Sequence, residues 1–393
     1  MLKGFLLANI TDEDKRNAAN DFWKQRTQQL RDVDRETEPD FFKAWLRSQY
    51  AETDRERHKG AKPDFDRIGA EFHRWVREHA TDRDNDSLTL RTSEEFLSFI
   101  WQDFDFYSRQ HLRLMTASQT LNPGLEHVLY NARVGFTLQY MLLLAPMQPD
   151  DTGEVAQKKA RLVAMFVDTL LAWRVWNYRS ITYNNMQYAM FRVMRDIRGL
   201  APEPLAERLH ATLAEEQATF ATNDRLSLHP GNGWPLFLLL ARMTDYIEQQ
   251  SGMPSHYLEY VGGSGNARYE IEHIWANKPE RHSDEFDHAA DFADYRNRLG
   301  GLLLLPKSFN ASYGALPYPE KLKHYNAQNL LARSLHPDCY NHNPGFLQFI
   351  ARSGLPFRPH LEFKKADLEE RQNLYREIAE RIWDPDQLLR EVE

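Results

Sequence analysis

Four polar residues in the C-terminal third are of types that can hydrolyse a phosphodiester bond around one metal ion. Glu272 and His273 are adjacent, and Asn310 and then Lys321 follow them. Carboxylate and amide oxygens suit Mg²⁺, which takes one or two protein ligands and keeps several waters. A histidine, with an ordinary pKa of about 6.5, can take a proton from water at neutral pH. We predict Glu272 and Asn310 as metal ligands and His273 as base, with Lys321 or Lys323 holding a phosphate.

Two apolar runs and a helix must position these side chains. The alternating run 269–274 predicts a strand with His273 and Glu272 on opposite faces, so their convergence requires a strand end or a bulge. The apolar run 299–305 predicts a second strand, and a helix carrying Lys321 follows it. Taken singly, each polar residue is more often a surface charge, a turn residue or a cap. Only their order favours a functional site.

The composition is that of a soluble globular protein with a helical core. The chain has 393 residues, 42% of them hydrophobic, and a net charge of −8. An acidic total disfavours a passive nucleic-acid coat but leaves room for a local positive groove. The single cysteine, Cys339, fits a reducing cytoplasm. We find no signal peptide and no apolar run long enough to span a bilayer, so we expect a cytoplasmic protein.

Helical periodicity dominates the chain before residue 250. Polar breakers at 59–63 and 81–86 predict loops, and a cluster of glycines at 251–268 predicts a domain boundary. Helices are predicted at about 11–33, 40–58, 64–79, 93–121, 124–147, 153–198, 202–222, 235–251, 346–353 and 365–383. We therefore expect a mainly α protein in three parts. They are a multi-helix domain at 1–250, a small ββα-metal module at 251–335 and C-terminal helices at 336–393.

Three other groups of residues have spacings that could bind a metal or nucleic acid. His282 and His288 lie in the segment between the two strands, and we interpret them as solvated. His336, Cys339 and His342 have zinc-like spacing, but prolines interrupt them and a fourth ligand is missing. The arginines and aromatics of 173–198 could contact phosphates, although an amphipathic helix explains them slightly better.

The second half also resembles a known family. The relevant runs are IEHIW, NRLGGLLLLPKSFNAS and PEKLKHYNAQNLLARSL. They are similar to the C-terminal HNH-type nuclease domain of the DUF262/DUF1524 proteins, the GmrSD-type modification-dependent restriction enzymes. The N-terminal MLKGFLLANITDEDKRNAANDFW resembles the middle of such proteins. The resemblance implies that the family's DUF262 module, which senses or hydrolyses nucleotide, is a separate domain or subunit.

By this resemblance His273 is the general base, Glu272 and Asn310 lie on the metal side, and Lys321 is the lysine of the following helix. The implied reaction is Mg²⁺- or Mn²⁺-dependent cleavage of DNA, with modified phage DNA as target. One position departs from the family, because Gly301 replaces the asparagine that often fixes the loop presenting the base. Asn297 could substitute if the loop takes a different path. The competing interpretations are a DNA-binding or regulatory subunit with an impaired site, and an RNA-cleaving toxin.

Overall fold

The computed structural model describes residues 2–55, 62–81 and 88–393. The described part is mainly α-helical, as expected, and its strands form one two-stranded sheet. By internal contacts the chain divides into two compact units. Unit 1 comprises residues 1–168, 181–215 and 385–393, and unit 2 comprises residues 169–180 and 216–384. The three-part domain division remains a prediction.

The helices and strands run in the following order. The first ten helices are α1 Leu2–Ala8, α2 Glu13–Val33, α3 Thr37–Tyr50, α4 Asp64–Thr81, α5 Ser93–Ser98, α6 Asp105–Ala117, α7 Glu126–Arg133, α8 Gln139–Leu144, α9 Gly153–Trp176 and α10 Tyr183–Ile197. The rest are α11 Pro202–Ala214, α12 Gly233–Gln250, α13 Tyr257–Gly262, β1 Tyr269–His273, α14 Ala289–Arg296, β2 Leu302–Pro306, α15 Lys307–Tyr313, α16 Tyr318–Tyr325, α17 Leu330–Arg333, α18 Pro344–Ser353, α19 Lys365–Ile382 and α20 Gln387–Arg390.

Two of the long predicted helices are wrong, since each is two helices with a break. The predicted helix 124–147 is broken between α7 and α8, where Gly135 has a φ of 84°. This value lies outside the range of a right-handed helix. The predicted helix 153–198 is broken after α9, where Tyr178 has a φ of 54°. The predicted helices 40–58 and 202–222 end earlier, at Tyr50 and Ala214. Most of both predicted loops, 59–61 and 82–86, lies outside the described residues.

An aromatic cluster forms much of the core of unit 1. Trp45 of α3 is fully buried, and its ring stacks on Phe99 with centroids 5.0 Å apart. Trp23 of α2 stacks on Phe104 at 4.1 Å. Phe99 and Phe104 are the ends of a π-helical segment between α5 and α6. Because π-helical hydrogen bonds join residues five apart, the segment directs both rings to the same core.

The two strands of unit 2 pair antiparallel, with Tyr269 opposite Pro306 and His273 opposite Leu302. The side chains of Leu302–Leu305 are all buried, which explains why β2 is a continuous apolar run and not an alternating one. The residues 299–301, predicted as strand, form a 3₁₀ turn before β2. Helix α14 lies between the two strands along the chain, and α15 follows β2 directly and packs on both strands.

The turn 299–301 lies directly against α19. The Gly300 backbone nitrogen donates to the Gln372 side chain at 2.7 Å. A Cβ on Gly300 would lie 2.3 Å from the backbone oxygen of Leu368, whereas a Cβ on Gly301 would lie 3.1 Å from the Leu368 Cδ1 atom. The first contact is with backbone and has no room to relax, and the second is with the mobile end of a side chain.

We predict that Gly300→Ala destabilises the protein far more than Gly301→Ala. Overpacking costs about 1–3 kcal/mol, and Gly300→Ala should lie at or above the top of that range. Gly301→Ala should lie below ~1 kcal/mol, because Leu368 can shift. Urea unfolding of both variants measures the difference. Equal midpoints would contradict the described packing of α19.

Candidate functional site

The end of β1 presents Glu272 and His273 on opposite faces. Glu272 faces the core and is 5% exposed, whereas His273 is partly exposed. The strand remains paired to its last residue, since His273 lies opposite Leu302 and the backbone nitrogen of Ile274 donates to Gly301 at 2.9 Å. There is thus no bulge that turns the two side chains toward one point.

Glu272 forms a buried ion pair with Lys321. The Lys321 ammonium donates to Glu272 Oε1 at 2.5 Å and to the backbone oxygen of His273 at 2.8 Å. The lysine is 0% exposed. Burial raises the pKa of the Glu272 carboxyl and lowers the pKa of the Lys321 ammonium, and the attraction within the pair opposes both shifts. This pair fastens α16 to the last two residues of β1.

His273 is held by Asn297, the residue that ends α14. The imidazole Nε2 and the Asn297 side-chain oxygen are 2.9 Å apart. With the amide oxygen as acceptor, Nε2 carries the hydrogen and Nδ1 is the basic nitrogen. Nδ1 has no hydrogen-bond partner among the described residues. Asn297 is therefore the residue that fixes the orientation of the proposed base, the task that the missing asparagine at Gly301 was expected to perform.

A short backbone bridge fixes Asn297. The Asn297 carbonyl accepts from the backbone nitrogen of Leu228 at 2.7 Å, and the backbone nitrogen of Leu299 donates to Leu226 at 2.8 Å. Ser227 and Arg298 form the antiparallel bridge between these two bonds. The loop thus takes a path that brings a residue before the 3₁₀ turn to the histidine, so Asn297 reaches His273 although it lies four residues before Gly301.

The His273 ring is neutral at physiological pH. Burial and, to a smaller extent, the positive charge of Arg296 lower its pKa to about 4, and the bond to Asn297 acts in the opposite direction. Arg296 is itself held, because its Nε donates to the backbone oxygen of Trp275 at 3.0 Å. Arg296 was not predicted as part of the site, and Asn297 was considered only as a substitute for the asparagine missing at Gly301. The adjacent Arg-Asn pair at a helix end was the available signal.

Asn310 lies on α15, and its side-chain oxygen is buried without a hydrogen-bond partner. Helix α15 starts at the end of the two-stranded sheet opposite to His273, where the backbone nitrogen of Lys307 donates to the backbone oxygen of Arg268 at 2.7 Å. The structure therefore joins Glu272, His273 and Lys321 by hydrogen bonds but joins Asn310 to none of them. Lys323 is exposed and pairs with Glu320 on the same helix at 2.9 Å.

The other candidate metal groups do not assemble. In the parts of the chain that the structure describes, no three His, Cys, Asp or Glu side chains are grouped to hold a metal ion. Cys339 is fully buried, and burial raises the pKa of its thiol to about 11. His282 packs against Trp275, with ring centroids 4.5 Å apart. His282, interpreted from the sequence as solvated, is thus packed, as is Cys339, whereas His288 and His342 are exposed.

We predict that the buried ion pair is energetically coupled. Lys321→Met leaves the Glu272 carboxylate buried without a partner, which costs about 3–5 kcal/mol of unfolding free energy. The double variant Glu272→Gln/Lys321→Met should lose less than the sum of the single losses. Lys323→Met is the matched control on the same helix, since its pair with Glu320 is exposed and contributes about 0–1 kcal/mol. Additive losses in urea unfolding would contradict the pair.

His273 should remain neutral where ordinary histidines titrate. Two-dimensional ¹H–¹⁵N spectra should show the Nε2-protonated tautomer of His273 at pH 5–7, a range in which an ordinary imidazole gains its proton. In Asn297→Ala the two tautomers should mix. Because the folded pKa is depressed, the unfolded state binds more protons between about pH 6.5 and 4, so this group lowers stability as pH falls through that window. A His273 pKa of 6 or above would contradict the described burial.

Comparison with protein families gives one match. Residues 228–378 match the model of the GmrSD restriction endonucleases, C-terminal domain. Comparison with curated proteins gives no match. No helix among the described residues is long and apolar enough to cross a membrane. Glu272, His273, Asn297, Asn310 and Lys321 all lie within the matched segment, which supports a restriction-endonuclease C-terminal domain of the GmrSD type at these residues.

Proposed function

We propose that residues 228–378 form a metal-dependent DNA endonuclease of the HNH type, with His273 as general base. The observation that carries the proposal is the state of His273. It is neutral, its ring is held by Asn297, and it lies at the end of a strand within a segment that matches a restriction-endonuclease domain. The antiparallel pair of β1 and β2 with α15 packed on it supports the HNH interpretation, with α14 inserted between the strands.

His273 would act through Nδ1, which the contact with Asn297 leaves as its basic nitrogen. A neutral imidazole accepts a proton from a water that attacks the phosphorus atom in line with the leaving oxygen. Asn297 is a positioning residue in this scheme, because it orients the ring and fixes the tautomer. Since the base is active in its neutral form, its contribution is lost as pH falls through about 4 and is constant above that range.

Lys321 has a structural role in the proposed site. Its ammonium is fully buried and bonded to Glu272 and to the His273 carbonyl, so we assign it to positioning the end of β1. The cation for a substrate phosphate is better supplied by Arg296. Its guanidinium is partly exposed, is held through Nε, and acts electrostatically on His273 and Glu272.

A divalent cation such as Mg²⁺ or Mn²⁺ would stabilise charge on the phosphate and on the leaving oxygen. The donors present fit such an ion in kind. Asn310 has a buried side-chain oxygen with no partner, and Glu272 has one carboxylate oxygen that Lys321 does not occupy, but Glu272 faces the core and no hydrogen bond joins it to Asn310. Because Lys321 already balances the charge of Glu272, we assign the stronger ligand role to Asn310.

The proposed substrate and partners follow from the family resemblance. They are modified phage DNA as target, a DUF262 nucleotide-sensing domain or subunit as partner, and action on DNA in the cytoplasm. Gly301 had favoured the alternative of an impaired DNA-binding subunit. The contact between Asn297 and His273 removes the main reason for that alternative, since the base is oriented from another position.

We predict that His273→Ala lowers metal-dependent cleavage of plasmid DNA by about 10²–10⁴-fold, the usual contribution of a general base. His288→Ala is the matched control, because His288 is exposed and outside the site. Asn310→Ala should raise the concentration of Mg²⁺ or Mn²⁺ needed for half-maximal cleavage, and chelation should abolish cleavage by the unaltered protein.

The outcomes separate the competing functions. Cleavage by His273→Ala at the unaltered rate would exclude His273 as base. DNA binding without cleavage under all metal conditions would favour the regulatory subunit, and cleavage of RNA alone would favour the RNA-directed alternative. Each variant is first checked by thermal unfolding, so that a loss of activity is not a loss of fold.

A further inference from the structure

Helix α10 of unit 1 has an apolar side in the core and a polar side in solvent. Met190 and Met194 are buried, whereas Tyr188, Arg192 and Arg195 are exposed. The three exposed residues are four and three positions apart, so their side chains lie on one side of the helix. Amphipathicity accounts for the buried methionines. It does not explain why the exposed side carries arginines.

A recess of about 350 Å³ lies at the C-terminal end of α10, and every described residue that lines it is charged. The lining residues are Glu52, Arg192, Arg195, Asp196 and Arg198. Both Arg195 and Arg198 pair with Glu52, the first of them at 2.9 Å. One carboxylate therefore serves two guanidinium groups.

The three arginines of the recess differ in how they are held. Arg198 donates to the backbone oxygens of Ser48 and Ala51, each at 2.7 Å, and so holds the end of α3. The side chain of Arg195 is 47% exposed. Arg192 makes no hydrogen bond or ion pair with any residue that the structure describes. The helix dipole favours a cation in the last turn, which accounts for Arg195 but not for Arg192, one turn earlier.

A fourth arginine extends the row along the helix. The guanidinium carbon of Arg55 lies 3.6 Å from the centroid of the Tyr188 ring, and both side chains are exposed. A guanidinium stacked on an aromatic ring keeps its N–H edge available for oxygen acceptors. From Tyr188 to Arg195 the helix rises about 10 Å. We call the exposed surface formed by Arg55, Arg192 and Arg195 the arginine face.

Charge and spacing indicate the partner of the arginine face. Four arginines here oppose two carboxylates, those of Glu52 and Asp196, although the whole chain has a net charge of −8. A local excess of cations on an acidic protein favours an anionic partner. Each strand of DNA carries one negative charge per about 3.4 Å of helix axis, so a row of this length can face about three phosphates. A single small anion would reach only one end of the row.

We propose that the arginine face binds the phosphate backbone of duplex DNA and positions it without reading its sequence. Contacts from arginines to phosphates fix the register of a protein on DNA but carry no base information. The surface lies outside residues 228–378, the segment that matches the endonuclease family. The proposal rests on the proposed function in one respect, that DNA is the substrate of this chain.

The test is the salt dependence of DNA binding by the full-length protein. Fluorescence anisotropy is measured with labelled duplexes of two unrelated sequences, and a chelator is present so that no cleavage occurs. Each lost phosphate contact lowers the slope of log K against log salt concentration by about 0.9. Arg192→Gln should lower it by that amount and Arg192→Gln/Arg195→Gln by about twice as much, equally for both sequences.

Three further variants serve as controls. Arg35→Gln removes the same charge from an exposed arginine that precedes α3, whereas Glu52 follows α3, and it should leave the slope unchanged. Arg192→Lys keeps the charge and should retain the slope. Asp196→Asn removes a carboxylate from the recess and should tighten binding. Arg198 is left unaltered because it holds α3, and thermal unfolding checks that each variant is folded.

The proposal is overturned if the unaltered protein does not bind DNA, or if Arg192→Gln and Arg35→Gln change the slope equally. It is also overturned if Arg192→Gln weakens binding of one sequence only. Inorganic pyrophosphate is the small-anion probe, and binding of it that requires Arg192, with an unchanged DNA slope, assigns the recess to a small anion instead.

Cleavage assays keep this surface separate from the nuclease proposal. A lowered slope in Arg192→Gln, with no metal-dependent cleavage by the unaltered protein, supports the arginine face and contradicts the nuclease site. Cleavage that requires His273, with an unchanged slope in Arg192→Gln, supports the nuclease site and contradicts the arginine face.

Discussion

The geometry of the candidate nuclease site depends on one buried cation. The Lys321 ammonium has no exposed surface, and it is stabilised by Glu272 and by the carbonyl of His273. A buried ammonium without these acceptors would be strongly unfavourable, so α16 and the end of β1 must stay together. The packing of α16 thus helps to hold the backbone of His273, the residue that we propose as base. It also explains why Glu272 points into the core while its neighbour remains partly exposed.

The orientation of His273 has a separate origin. It depends on Asn297, and Asn297 depends on the backbone bridge between Leu226–Leu228 and the end of α14. The turn that follows packs so closely on α19 that a side chain at Gly300 has no room. At Gly301 the space is tight, and only the end of Leu368 would need to move. An amide side chain supplied from Asn297 therefore orients the histidine while the turn packs closely on α19.

Charge is distributed unevenly, and this reconciles an acidic protein with an anionic substrate. The chain carries a net charge of −8, yet the like charges that act on Lys321 are Arg296 and Arg281, against the single opposite charge of Glu272. The same cationic surroundings help to keep His273 neutral. Local charge, and not the total, would thus decide which ligand the proposed nuclease site accepts.

Much of the architecture could be predicted from the sequence, because it depends on local periodicity. Apolar spacing predicted most helices and both strands, and residue chemistry singled out Glu272, His273, Asn310 and Lys321. The breaks after α7 and α9 were missed, since no proline marks them and the left-handed φ of Tyr178 arises from tertiary contacts. The Tyr178 hydroxyl donates to the backbone oxygen of Arg225 and accepts from the backbone nitrogen of Ser227, both far along the chain.

The tertiary structure decided which polar side chains contact one another. By itself the sequence determined a mainly α chain with a short β-β-α segment, and the set of residues able to do the chemistry. It did not determine that Lys321 would be buried against Glu272, or that Asn297 would take the place expected at Gly301. These contacts join residues 24 and 49 positions apart, and they form only when the packing of whole helices has set the distances between them.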